Sequence, residues 1–197
     1  MKKSILILSG VAMVLLLAGC SGGGDNANVD EGEPVAKLAC TQGMGEYKLA
    51  DSPLQFCYDK AWGEPVVEGV SAKTGSAQKI GFGTVDNAKA PQVWIESKDF
   101  QPSEGEKKVK FEFMNAMESK EDSLKTQLKN SVGYNEKDVR ARKADAGGVR
   151  AIRADVSGDV NQVNYFVPDA FDGYNMMVSG GKDMAEMIDE FTFDMAL

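Results

Sequence analysis

The apolar stretch at residues 5–17, behind Lys2 and Lys3, most constrains what this chain can fold into, because it withdraws the N terminus from the fold. A positive n-region, a short apolar run and the small residues Ala18 and Gly19 before Cys20 read as a secretory signal. At 13 residues the run is well short of the roughly 20 that a spanning helix needs. Ser21-Gly22-Gly23-Gly24 offers no continuation. Cleavage before Cys20 and export are therefore expected, with a fold built only from the residues beyond the cleavage point.

Leu17-Ala18-Gly19-Cys20 resembles the lipobox of bacterial lipoproteins. The resemblance implies diacylglyceryl transfer to the Cys20 thiol, cleavage by the lipoprotein signal peptidase and N-acylation. Each buried methylene contributes about 0.8 kcal/mol and a single myristoyl chain binds only marginally, so two or three chains give a persistent membrane anchor. Ser21, rather than Asp, after the cysteine resembles cargo sorted to the outer membrane in cells that have two membranes. The implied location is a cell membrane, held through Cys20.

Residues 20–36 combine the anchor cysteine with glycine, small polar residues and the acids Asp25, Asp30, Glu31 and Glu33, which leaves almost nothing to bury. Such a segment reads as a flexible tether with a reach of about 20 Å. Residues 37–197 then suffice for a single domain with its own core. Loss of Lys2 and Lys3 takes the 22 basic residues to 20 against 30 acids, a formal charge of −10. An acidic domain of this kind argues against nucleic acid as a partner, since phosphate binding needs a concentrated basic surface.

With Cys20 lipidated, Cys40 and Cys57 remain, an even number in an oxidising compartment, and a disulfide between them is expected. Leu54, Phe56 and Tyr58 form the inward set of a strand, which turns Cys57 to the other side where the segment around Cys40 can cover it.

Strand patterns rich in Val, Ile and aromatics occupy residues 47–50, 54–58, 64–71, 78–85 and 92–98. A helix comes next, with Ser119 and Asp122 as its start signal and Leu124 and Leu128 as its apolar stripe. Four more strands are expected at 139–144, 149–156, 160–167 and 174–179, with turns at 147–148, 157–159 and 168–173. Asp183 and Glu186 suggest a capping box for a last helix bearing Met184, Met187, Ile188 and Phe191, after which Phe193 returns the chain to the sheet. Consecutive strand runs with a few helices predict an α+β class, an antiparallel β-sheet covered by helices.

Phe56-x-Tyr58-x-x-x-Trp62 resembles the opening of PsbP-like domains, although Asp59 stands where the family usually carries proline. The aromatic strand at 174–178, a polar turn, a short helix and Phe191-Thr192-Phe193 are similar to the family's close. This implies a PsbP-like α/β/α sandwich and a role in binding rather than catalysis, with no metal or partner residue carried over.

The chain has no histidine, which removes Ser-His-Asp and Cys-His nucleophiles and the commonest imidazole metal ligands. No cofactor or metal site is expected. Gly81-Phe82-Gly83 reads as close packing or a bulge within a strand, not as a phosphate-binding loop. The carboxylates at 155–159 and 169–172 read as solvated turns, and Met114, Met117, Met176, Met177, Met184 and Met187 as core filler. All four arginines, Arg140, Arg142, Arg150 and Arg153, fall in one predicted hairpin. Either turn register places Arg140, Arg142 and Arg153 on one face, with Arg153 opposite Arg140 or Arg142. Like charges so placed destabilise a strand pair, so either carboxylates, a solvated edge or an anionic partner should offset them. The expected function is a lipid-anchored, non-catalytic envelope module that binds another envelope protein or an anionic ligand. The alternatives are an envelope hydrolase using lysine or paired carboxylates, and a small-ligand-binding lipoprotein.

Overall fold

The computed structural model describes residues 38–103, 121–132, 135–146, 148–158 and 161–197. Cys20, Met114, Met117 and Ser119 lie outside them. The elements in chain order are β1 (Met44–Lys48), β2 (Gln55–Asp59), β3 (Pro65–Val70), β4 (Ala72–Thr74), β5 (Ala77–Phe82), β6 (Gln92–Ser97) and β7 (Gln101–Pro102). Then come α1 (Glu121–Val132), β8 (Val139–Ala146), β9 (Val149–Val156), β10 (Gln162–Phe171), β11 (Tyr174–Gly181) and α2 (Ala185–Phe193). The class is mostly β: a large antiparallel sheet with two short helices.

Seven strands pair antiparallel in the order β3-β5-β6-β11-β10-β9-β8, so the two strand runs of the sequence fuse through β6 and β11. β1 pairs with β2, and β4 with β7, as separate two-stranded ribbons. Alternation gives the large sheet two apolar faces. One carries Ile80, Val93, Ile95, Ala151, Tyr165 and Met176, and buries them against Leu54, just before β2, Phe56 of β2, and Ile188 and Phe191 of α2. The other carries Val139, Ile152, Ala154, Val156 and Phe166 under Leu124 and Leu128 of α1. Gly180 of β11 sets the seat of α2. A Cβ there would lie 2.3 Å from Ile188 Cδ1, so any other residue would force the buried Ile188 side chain to move before the helix could settle onto the strand.

Several boundaries differ from expectation for identifiable reasons. β1 lies three residues upstream of its predicted start, because the Leu49 amide is taken by the Leu54 carbonyl and closes the turn early. β5 stops at Phe82, where Gly83 takes a φ of +69°. β10 runs through Pro168 instead of turning there. The ladder shifts register between Val167 and Phe171, which suits a residue without an N–H, and the Asp169 amide is satisfied by Asn175 Oδ1 at 3.0 Å. No capping box forms at Asp183. A 3-10 turn over Lys182–Met184 engages the Ala185 amide with the Lys182 carbonyl, and α2 starts after it without a side-chain cap. Phe193 ends α2 and is 46% exposed rather than returning to a strand. The return is made by Ala196, which exchanges both backbone hydrogen bonds with Gln55.

Cys40 and Cys57 form the expected disulfide, with Cα atoms 5.4 Å apart. Leu54, Phe56 and Tyr58 are all buried. Gly45 stands opposite Tyr58 in the β1–β2 register, and a Cβ there would lie 2.2 Å from the Tyr58 ring. The ring thus lies across β1, and its hydroxyl donates to Glu64 Oε2 at 2.6 Å. That bond, with burial second, pushes the phenol up from its ordinary 10 to about 12. Between those values the folded state holds a proton that the unfolded chain has lost, so stability is complete below pH 10 and falls as pH rises through 12. Phenolate absorbance should show one tyrosine titrating near 12 that disappears in Tyr58→Phe and titrates lower in Glu64→Gln. An unchanged profile in Glu64→Gln counts against the assignment.

Candidate functional site

The arginine hairpin forms in the expected hand. Arg142 stands opposite Arg153 and Arg140 opposite Asp155, so Arg140, Arg142 and Arg153 share the α2 face of the sheet. The three are not equivalent. Arg153 has a side chain only 11% exposed, and its Nη2 donates to Asp155 Oδ1 at 2.8 Å. Its Nη1 donates to Asp189 of α2, and Tyr165 donates its hydroxyl to the other Asp189 oxygen at 2.9 Å. Burial acts to lower the Arg153 pKa, but the hydrogen bonds to Asp155 and Asp189 outweigh it and hold the guanidinium above its ordinary value. Burial, then the bond to Asp189, raises Tyr165. Arg153 is therefore a tether between β9 and α2, and Asp155 belongs to that network instead of to a solvated turn.

Arg140 and Arg142 are exposed on the edge strand β8, and no ion pair joins either to a described residue. Arg150 lies on the opposite face, across from Asp145. Arg153→Met is expected to cost about 2 kcal/mol, because it leaves Asp155 and Asp189 without their cation at partly buried positions. Arg142→Met should stay within about 0.5 kcal/mol, as exposed substitutions do. Urea unfolding of the two variants separates a tether from a decorative charge. Equal effects reject the distinction.

A second place was not foreseen. Beside the disulfide, a groove of about 570 Å³ runs between α2 and the end of the β1–β2 ribbon. Its floor is Met44, Cys57, Trp62, Met187 and Phe191, and its rim carries Asp59, Glu186, Glu190 and Asp194. Trp62 is held by edge-to-face contacts with Phe82 at 5.2 Å and Phe191 at 5.8 Å. Asp59 caps the 3-10 turn that carries Trp62, accepting from the Ala61 amide at 2.8 Å. All four rim acids are exposed, and none makes an ion pair with a described residue.

The methionines do not converge. Met176 and Met177 fall on opposite faces of the sheet, while Met187 reaches the groove. Asp169 pairs with Lys98 at 2.6 Å, and Asp172 borders a smaller recess of about 380 Å³ with Tyr174 and Gln78. Phe82, between Gly81 and Gly83, is fully buried. Among the described residues no group of three or more Cys, Asp and Glu could hold a metal ion. None of the described helices is long and apolar enough to cross a membrane. The groove's sequence signals were the acids Glu186, Glu190 and Asp194 at four-residue spacing and the lack of any Lys or Arg after Lys182. No protein-family model matches this chain, and neither does any curated protein or solved structure.

Proposed function

We propose that this chain is a lipid-anchored envelope protein, attached through Cys20, whose PsbP-like domain is a non-catalytic binding module for another envelope protein. The anchor rests on the N-terminal sequence. The fold assignment is supported by the seven-stranded antiparallel sheet with α1 on one face and α2 on the other. The binding role is carried by one observation: a recess with an apolar floor and a rim of four carboxylates that the described part of the fold leaves without a cation. Apolar floors rimmed by a few polar groups are the usual form of a recognition site.

Two measurements test the reading. Mass spectrometry of the N-terminal peptide from membranes should show acylated Cys20, with the modification absent from Cys20→Ser. An unmodified N terminus removes the anchor. Crosslinked affinity capture from intact cells should recover a partner with the native protein. The comparison uses Arg140→Glu/Arg142→Glu and Glu186→Lys/Glu190→Lys, since Arg153 cannot be changed without loosening α2. Loss with one variant locates the surface, and no partner with native protein rejects an assembly role.

A further inference from the structure

We infer that the groove beside α2 takes an extended basic peptide segment of the partner, with Lys or Arg at alternate positions and apolar side chains between them. The inference rests on the binding-module reading and names what the recess recognises. Five carboxylates elsewhere in the described fold meet cations, Asp86 with Lys79, Asp169 with Lys98, Glu136 with Lys129, and Asp155 and Asp189 with Arg153, whereas the rim acids stand together without one among the described residues. At the groove, Glu186 and Glu190 of α2 are followed by Asp194 just past its end, with no cation in the helix's last turn. A helix C-terminus already carries partial negative charge and favours a cation there. This chain places Glu190 and Asp194 at that end instead. The negative charge is thus concentrated over low-dielectric walls, which focuses the field on whatever enters.

The chemistry of the floor narrows the occupant. Anionic headgroups, phosphates and acidic peptides are repelled by the rim. A bare metal ion lacks a site, since no qualifying ligand group exists among the described residues. Trp62 lines the recess, and an indole is the best aromatic partner for an ammonium or guanidinium. Met44 and Met187 supply flexible thioethers that adapt to apolar side chains of varied shape. Spacing argues for an extended chain. Residues four apart on a helix are separated by about 6 Å along its axis, and alternate residues of a strand by about 6.6 Å. Cations at every second position therefore keep step with Glu186, Glu190 and Asp194, while the intervening side chains are free to drop to the floor.

The test uses the full chain in detergent micelles, screened against an immobilised library of random octapeptides. Enriched sequences should carry Lys or Arg at alternate positions beside aliphatic or aromatic residues. Their binding should alter Trp62 fluorescence, a change lost in Trp62→Phe, which retains Trp94. The triple variant Glu186→Gln/Glu190→Gln/Asp194→Asn, altered only at exposed positions, should bind about tenfold more weakly. Higher salt should weaken the native protein more than the variant. Enrichment of neutral or acidic peptides overturns the inference, as does basic-peptide binding indifferent to the triple variant. If acidic peptides are enriched and lost with Arg140→Glu/Arg142→Glu, the occupant is wrong and the binding reading stands. An empty screen alongside a captured partner has the same meaning, whereas failure of capture itself removes the reading beneath.

Discussion

Phe82→Ala is expected to lower the unfolding free energy by about 4 kcal/mol and the melting temperature by about 10 °C. The ring is fully buried and sits at the junction of three structural parts. It meets Phe56 and Tyr58 of β2 at 5.9 and 5.4 Å, Trp62 of the 3-10 turn at 5.2 Å, and Phe191 of α2 at 5.8 Å. Truncation loses transfer free energy, leaves a cavity, and removes edge-to-face contacts worth up to about 1 kcal/mol each beyond buried area. Phe193→Ala supplies the control. That ring is 46% exposed at the end of α2, touching Tyr165 edge to face at 5.8 Å, and its loss should cost about 1 kcal/mol or less. Denaturant unfolding of both variants checks the contrast. A loss below about 2 kcal/mol for Phe82→Ala would mean that the surrounding rings collapse into the space.

That cluster shows why parts of this fold were legible in the sequence. Leu54, Phe56 and Tyr58 alternate, and Leu124 with Leu128 and Ile188 with Phe191 recur at helical spacing, so each element's buried side could be read locally. Period alone cannot say which strands meet. The pairing of β6 with β11 joins residues about eighty positions apart, and nothing in either strand names the other. Two-residue β7 and three-residue β4 are too short to carry a period at all. Pro168 suggested a turn because a register shift that forgives its missing N–H leaves no pattern.

The sites obey the same division. Arg153 and Asp155 are neighbours in one strand, but Asp189 comes from 36 residues further on, and only the seating of α2 on Gly180 brings it there. The shared face of Arg140, Arg142 and Arg153 was therefore readable, while the burial that separates Arg153 from the other two was not. The groove is more remote still, since Met44 and Met187 belong to opposite ends of the domain. Its acidic rail was visible in the sequence, but without an opposing wall a row of helix carboxylates is only a solvated face.

The opposing wall supplies the second large effect. Replacing Cys40 and Cys57 together with alanine is expected to cost about 3 kcal/mol, the chain-entropy value for opening a loop of 17 residues. Alanine is preferred to serine because Cys57 is only 7% exposed, and a hydroxyl there would need a partner. The effect should also be local. The segment before β1 is fixed by the disulfide and by one backbone bond from the Met44 amide to the Thr41 carbonyl. Without the bridge, exchange of the Met44 amide, the one that donates in this segment, should rise toward that of an open chain, while β6, β10 and β11 keep protection that falls only with global stability. Faster exchange in this segment with unfolding free energy unchanged would show that the bridge orders the groove wall without constraining the unfolded chain. Slow exchange there would mean that the wall stands without it. Because Cys57 and Met44 line the recess, the first pattern makes recognition at the groove depend on oxidation of this pair, as befits a chain read as exported.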